Sequence, residues 1–184
     1  ATLNANMYRP FSWFKDGENL LVKFLPEDKK SLIEKATAIP TGPRVSISEG
    51  KKAQNRTYQD LLKDKADESN FEQLVRASLF KVNMNGEKTL WKETAMYTSV
   101  SFSPDGENVL IKTIHKPFSY LVTYGRFPSK TIIYSKDGNK IKTINESPLI
   151  EDLPKGFMAT QKGMRDISWR SDKPASIYYV KAQD

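Results

Sequence analysis

Short runs of alternating apolar and polar residues make up much of this chain of 184 residues, and tight-turn pairs separate several of them. One pattern occurs three times, as FSWFKDG at 11–17, VSFSPDG at 100–106 and ISWRSDK at 167–173, and a β-branched or aromatic run follows each copy. Each copy predicts a strand that ends at the aromatic residue in the third position, then a tight turn and a second strand. The Asp-Gly pair supplies the positive φ that a short hairpin needs. The third copy has Lys and then Pro in place of glycine, so its turn is expected to differ.

A second hairpin follows the first in two of these units. The segment 74–82 leads through Asn-Met-Asn-Gly into 87–91, and the segment 130–135 leads through Lys-Asp-Gly into 140–144. Two hairpins in succession make a four-stranded antiparallel sheet, which is the blade of a β-propeller. The copies lie farther apart than the roughly 40 to 50 residues of a typical blade repeat, so the surplus is expected in loops.

The sequence therefore predicts an all-β chain of antiparallel four-stranded blades, with one short helix in a long insertion. The predicted units are a first blade at about 8–92 with an insertion at 26–72, a second blade at about 97–145, and the opening hairpin of a third blade at about 165–184. Because propellers close with about 4 to 8 blades, this is a partial propeller, either a fragment or an open array that forms an edge-to-edge dimer. A two-layer β-sandwich is the alternative fold.

The long connections are predicted to lie on one face of the disc. The turns within hairpins are short, whereas the connections at 26–73, 115–129 and 145–164 are long. In an up-and-down antiparallel blade, these two kinds of connection lie at opposite ends of the strands. Loops carry function more often than scaffold strands do, so the face with the long connections is expected to be the functional one.

Within the insertion, the segment at about 57–66 predicts a short helix. Thr57 and Asp60 have the spacing of a capping pair, and the apolar residues that follow fall on one helical face. Gly, Pro and Ser residues around 41–52 predict an irregular loop before it. A surface flap and a loop that gates peptide entry both fit this composition.

Composition narrows the classes of function. The formal net charge is +7, but the lysines are scattered singly along predicted strands, which is typical of a solvated surface rather than of a site for nucleic acid or another polyanion. No run approaches the roughly 20 apolar residues that cross a membrane, and the start of the chain lacks the basic-then-apolar pattern of a signal peptide. The absence of cysteine excludes disulfides, thiolate nucleophiles and cysteine-based zinc sites.

No catalytic constellation can be assembled from the sequence. His115 is the only histidine, and no Gly-x-Ser-x-Gly elbow or glycine-rich phosphate loop occurs. We therefore assign no catalytic, metal-binding or cofactor-binding residue, and we expect the chain by itself to be inactive.

Two segments are more distinctive than turn chemistry requires: 114–128, which begins IHKPFSYLV, and 162–174, which reads KGMRDISWRSDKP. Both resemble the N-terminal propeller of glutamyl endopeptidases, a branch of the prolyl oligopeptidase family of serine peptidases. The segments 57–64 and 97–99 also match that branch in order.

The resemblance implies a parent chain with a C-terminal α/β-hydrolase domain that carries a Ser-Asp-His triad, acting as an endopeptidase or aminopeptidase. In such enzymes the propeller restricts the entry of peptides to a cavity shared with the hydrolase domain, and cleavage follows acidic residues. No position of this chain matches the triad motifs. The resemblance also favours a periplasmic or otherwise extracytoplasmic location, because bacterial relatives are often exported.

Three residues are candidates for contacts with an acidic peptide or with the hydrolase domain: His115, Arg126 and Arg165. Arginine suits a carboxylate because its guanidinium donates two parallel hydrogen bonds. The alternative role for each arginine is a salt bridge or a carbonyl clamp inside the propeller. The alternative for the whole chain is a free-standing module that binds a protein or peptide through loops on one face.

Overall fold

The computed structural model describes residues 1–34, 58–152 and 162–182. Strands dominate these ranges, and they contain one α-helix, α1, at Lys65–Val75. The strands are β1 Phe11–Trp13, β2 Asn19–Phe24, β3 Ala77–Asn83, β4 Lys88–Phe102, β5 Asn108–Ile114, β6 Ser129–Ser135, β7 Lys140–Ser147, β8 Met164–Trp169 and β9 Ile177–Lys181.

Strands β1 to β7 pair in chain order, each antiparallel to the next, and β8 pairs with β9. The long strand β4 belongs to two sheets. Its residues 88–95 pair with β3 and complete a first sheet with β1 and β2. Its residues 96–102 pair with β5 and begin a second sheet that continues through β6 and β7. The antiparallel all-β class with one short helix is confirmed, and the described strands form no closed barrel.

The repeated hairpin pattern forms as predicted. The aromatic residues Trp13, Phe102 and Trp169 each end their strand. Gly106 has φ +78 in its turn, and a Cβ added there would lie 2.5 Å from the Cβ of Lys15. Glycine is therefore required at this turn both for its backbone conformation and for the close approach of the neighbouring turn.

A hydrophobic core lies between the two sheets. Phe14 packs edge-on against Phe102 with ring centroids 4.8 Å apart, and Leu79 and Val109 are both 0% exposed. Tyr97 is buried in the same cluster and donates its hydroxyl hydrogen to the carbonyl oxygen of Glu93 at 2.5 Å. Burial raises the pKa of Tyr97 well above its ordinary value. The sheets thus pack face to face across apolar side chains, which is the main source of their stability.

The short turns gather at one end of the strands. Lys15 donates from Nζ to the carbonyl of Pro104 at 3.0 Å, and the backbone N–H of Asp105 donates to the carbonyl of Pro174 at 3.0 Å. Backbone hydrogen bonding also joins Lys136 to Glu107 at 2.8 Å. These contacts link the turns of all three units to one another.

The described parts of the long connections gather at the opposite end, around a second core. Its buried residues are Met7, Val75, Met96, Ile114, Val122 and Phe127. Phe71 of α1 packs against Phe118 and Phe127 of the β5–β6 connection, with ring centroids 5.3 and 5.8 Å apart. Lys116 and Glu72 form an ion pair across the same contact at 2.6 Å. The predicted separation of short turns from long connections is confirmed for these residues.

The predicted position of the helix is wrong. Asp64 caps α1 by accepting a hydrogen bond from the backbone N–H of Asp67 at 2.8 Å, so the helix begins at Lys65. Asp60 has φ +57, which no helical residue adopts, and Thr57 lies outside the described residues. The helix continues into residues 74 and 75, where the sequence predicted the start of a strand, and β3 begins at Ala77. The described part of the chain has no helix that is long and apolar enough to span a membrane.

Candidate functional site

A row of polar residues crosses the second sheet on one face. Ser99 of β4 is the register partner of Lys112 of β5, Lys112 pairs with Thr131 of β6, and Thr131 pairs with Asn145 of β7. Directly paired residues of an antiparallel sheet lie on the same face. The opposite face of the same strands contributes to the apolar core between the sheets.

This polar face forms one wall of a cavity of about 350 Å³. Strand β8 supplies the facing wall, and Gly125, Phe127 and Ile150 of the long connections also line the cavity. Thr131 and its neighbour Ser129 are buried at its base. The volume lies within the range of roughly 300–1,000 Å³ that is typical of small-ligand pockets. We call this cavity the polar pocket.

A bulge in β8 shapes the second wall of the polar pocket. The register between β8 and β9 shifts between Arg165 and Ser168, and Asp166 within the bulge has φ +52. Aspartate is among the few residues that adopt this left-handed conformation readily. Arg165 and Asp166 both line the cavity, as does Lys112 on the opposite wall. The pocket therefore contains two cationic side chains and one carboxylate.

Arg126 lies beside the polar pocket. It ends a short 3₁₀ turn, Tyr124–Arg126, and its chain neighbours Gly125 and Phe127 both line the cavity. The backbone carbonyl of Arg126 accepts a hydrogen bond from Ile150 at 3.1 Å. Its Nη1 atom is buried and has no hydrogen-bond partner among the described residues. Buried side-chain donors without a partner are uncommon, and each one calls for an explanation.

His115 lies outside the lining of the polar pocket. It is exposed at the end of β5, and its backbone N–H donates to the carbonyl of Pro128 at 2.9 Å. Its Nδ1 atom lies 2.9 Å from the carbonyl oxygen of Lys116. Of the three residues singled out from the sequence, Arg165 is thus in the pocket, Arg126 adjoins it and His115 is separate. Their proposed contacts with a peptide or a hydrolase domain stay predictions.

A second cavity of about 330 Å³ lies among the short turns. The carboxylates of Asp16 and Asp105, which line it, accept hydrogen bonds from groups within their own turns. A hydrogen bond from Ser103 lowers the pKa of Asp105, and the backbone N–H of Glu18 lowers the pKa of Asp16. Over the described ranges no group of three or more His, Asp or Glu side chains could hold a metal ion.

Two curated relatives match nearly the whole chain. A protein of Oryza sativa subsp. japonica named probable glutamyl endopeptidase, chloroplastic, is 37% identical over 183 residues, which is 99% of this chain. A protein of the same name from Arabidopsis thaliana is 35% identical over 183 residues. The matched region is 19% of each relative, so the chain spans about a fifth of their length. No family model matches the chain, and no solved structure matches it.

Sequence reasoning missed the polar row that forms the base of the pocket. Lys112, Thr131 and Asn145 are far apart along the chain and become neighbours only through strand register. The available signal was the alternation within β6, where Ser129 and Thr131 fall on the same face. This alternation does not show which polar residues are neighbours until the register between the strands is known.

Proposed function

We propose that the chain is a non-catalytic β-propeller region of a serine peptidase of the glutamyl endopeptidase type, and that it shapes the access of peptides to a hydrolase domain outside these residues. The observation that carries this proposal is similarity over 99% of the chain to two proteins named glutamyl endopeptidase, combined with its span of only 19% of each. A region of that size is one structural part of a much longer polypeptide.

The architecture supports the propeller part of the proposal. Two four-stranded antiparallel sheets follow one another in the chain, and a further hairpin, β8–β9, packs after them. The indole N–H of Trp169 in that hairpin donates to the carbonyl of Ser101 in the second sheet at 3.1 Å. Successive meander sheets, with short turns at one end and long connections at the other, are what radially repeated blades require.

The polar pocket supports the peptide part of the proposal. Residues of the long connections line part of it, and Arg165 and Lys112 lie on opposite walls. A carboxylate between two cations gains charge-assisted hydrogen bonds, which are stronger than neutral ones. We propose that an acidic side chain of the peptide binds there, and that the unpartnered Nη1 of Arg126 binds either the same peptide or the surface of the hydrolase domain.

The test uses the complete gene product, from its natural start codon to its natural stop codon. Arg165→Ala and Arg126→Ala are compared with Arg170→Ala, a matched control that pairs with Asp172 in the β8–β9 turn, away from the pocket. We measure kcat/KM on a glutamyl peptide and on its neutral glutaminyl counterpart. Hydrogen bonds to charged groups contribute roughly 1.5–3 kcal/mol, so Arg165→Ala is expected to lower kcat/KM on the glutamyl peptide about 10- to 100-fold.

The control variant and the neutral peptide should change little. Equal losses on both peptides would overturn the acidic-side-chain role. A complete gene product that hydrolyses no peptide would overturn the proposed function and favour a free-standing module that binds through its loops. The chain of residues 1–184 by itself is expected to hydrolyse neither peptide.

A further inference from the structure

The first sheet has an apolar face that points away from the second sheet. Cross-strand pairing places two sets of side chains on this face. One set is Phe11, Val22, Phe80 and Leu90, and the other is Trp13, Leu20, Val82 and Lys88. The ammonium group of Lys88 lies 5.3 Å from the ring centroid of Phe80. We call the seven apolar residues the outer face.

The outer face is incompletely covered. Phe11 is 50% exposed, Trp13 is 51% exposed and Leu90 is 46% exposed. Phe11 and Trp13 belong to β1 and Leu90 belongs to β4, so the exposed side chains lie on the first and the last strand of this sheet. Clustered exposed apolar side chains mark an interaction site more often than isolated ones do.

The internal repeat shows what covers the equivalent residues in the other units. Trp13, Phe102 and Trp169 occupy the same position of the repeated hairpin. Phe102 of the second sheet packs on Phe14 of the first sheet. Trp169 of the third hairpin is only 9% exposed and donates to the carbonyl of Ser101 in the second sheet. In both cases the aromatic residue contacts the unit that precedes it.

The strand neighbours of these aromatic residues follow the same rule. Leu20 pairs with Trp13 in the first sheet, as Val109 pairs with Phe102 in the second sheet. Val109 is fully buried in the core between the two sheets. The outer face of the first sheet is therefore equivalent to the face of the second sheet that carries Phe102 and Val109. The second sheet buries that face against the first sheet.

We propose that the outer face is a docking surface for a further antiparallel sheet of the same polypeptide, which presents an apolar face like that of Phe14, Leu21 and Leu79. This inference rests on the proposed propeller arrangement. About four fifths of each relative lies outside the matched region, which leaves ample chain to supply such a sheet.

A second copy of this chain is a poor occupant. The complementary apolar surface around Leu21 and Leu79 is already buried between the first and second sheets. The free side of the second sheet carries the polar row with Lys112 and Thr131, and β8 already faces it. Apart from the outer face itself and the exposed Tyr178 and Val180 of β9, no described surface of a second copy offers an open apolar face like the one around Leu21 and Leu79.

Hydroxyl-radical footprinting read by mass spectrometry tests the proposal without any substitution. Oxidation rates of Trp13 and Trp169 are compared in the chain 1–184 and in the complete gene product. Trp169 is the internal control for a buried indole, and Met84, which is 70% exposed in the β3–β4 turn, is the control for an open side chain. We expect Trp13 to react readily in the chain 1–184 and to fall to the rate of Trp169 in the complete gene product.

Two outcomes would overturn the proposal. An unchanged Trp13 rate in the complete gene product would show that nothing docks there. Protection of Trp13 in the chain 1–184 that increases with protein concentration would identify a second copy as the occupant. Peptide hydrolysis is measured on the same sample, so an active enzyme with an exposed Trp13 would refute the docking surface alone, whereas a protected Trp13 without hydrolysis would refute the proposed function alone.

Discussion

The indole N–H of Trp91 donates a hydrogen bond to the backbone carbonyl of Lys136 at 2.8 Å. Trp91 lies in the part of β4 that completes the first sheet, and Lys136 lies in the last turn of the second sheet. The ring of Trp91 also packs against Tyr134 with centroids 6.0 Å apart. The contact therefore joins the last strand of the first sheet to the β6–β7 turn of the second sheet, where Trp91 and Tyr134 extend the core between the sheets.

Gly138→Ala is expected to weaken this contact and destabilise the protein. Gly138 has φ +86, and an added Cβ would lie 3.0 Å from the carbonyl oxygen of Trp91. Gly86→Ala is the matched control, because Gly86 has φ +84 and nothing within 4 Å of an added Cβ. Left-handed backbone costs a non-glycine residue roughly 1–2 kcal/mol, so both variants lose about that much in urea unfolding. Gly138→Ala should lose more, and equal losses would contradict the steric role of Trp91.

Leu79→Ala is expected to lower the free energy of unfolding by about 2–5 kcal/mol, as for other fully buried leucines. Leu79 is completely inaccessible in the core between the sheets. The control is Leu121→Ala, because Leu121 is 67% exposed, and a surface substitution usually changes stability by less than about 0.5 kcal/mol. A small loss for Leu79→Ala in urea unfolding would mean that the two sheets do not pack as described.

Alkaline pH is expected to destabilise the protein through Tyr97. Burial raises the pKa of Tyr97 above its ordinary value of 10.0, so the folded state keeps its proton where the unfolded state loses it. The resulting stability is fully present below about pH 10 and is lost as the pH rises further. Burial also raises the pKa of Tyr134, which contributes in the same direction.

Tyr97→Phe should flatten the alkaline part of a plot of unfolding free energy against pH. At neutral pH it should cost about 1 kcal/mol, because the hydrogen bond to Glu93 is removed. Tyr179→Phe, which alters an exposed tyrosine of β9, is the comparison for loss of a surface hydroxyl group. Identical alkaline slopes for wild type and Tyr97→Phe would contradict the burial of the phenol.

The contact between α1 and the β5–β6 connection should respond to acid. Burial acts to raise the pKa of Glu68, but hydrogen bonds from Tyr120 at 2.7 Å and from Lys65 at 2.9 Å outweigh it and lower the pKa below its ordinary 4.5. This stability is present above about pH 4.5 and is lost as the pH falls below it. Glu68→Gln should reduce the acid-dependent loss by less than about 1 kcal/mol, as for other partly exposed ion pairs.

Hydrogen exchange of the α1 amides, measured from pH 6 to pH 3 after correction for the intrinsic pH dependence, checks this effect locally. The matched control is Glu146→Gln, since Glu146 pairs with Lys130 on β7 and β6 at 3.2 Å, away from the helix. An α1 whose protection changes with pH equally in wild type and Glu68→Gln would contradict the role of Glu68.

The hairpins could be predicted because their signals are local. An aromatic residue, a tight-turn pair and a β-branched run stand next to one another in the sequence, and the strand ends at Trp13 and Phe102 follow from them. The helix could not be located in the same way. Thr57 with Asp60 and Asp64 with Asp67 have the same capping spacing, and the packing of Phe71 against distant aromatic rings stabilises the helix that follows Asp64.

The site was only partly predictable for a similar reason. Arg165 was found because an acidic ligand calls for a cation near a long connection, and this argument needs no register. The row that includes Lys112 and Thr131 depends on the alignment of β5 with β6, whose connection of 14 residues, 115–128, fixes no register by itself. Pairing of such distant strands is decided by packing of the whole sheet.

Because β4 is a single strand of 15 residues that serves both sheets, neither sheet is a separable module. Side chains alternate along a strand, so inserting one residue near its middle would reverse the inward and outward positions of one sheet relative to the other. Recombination between related proteins would therefore be tolerated within the long connections and rejected within β4. In this region the smallest unit that recombination could exchange intact is therefore the two sheets together.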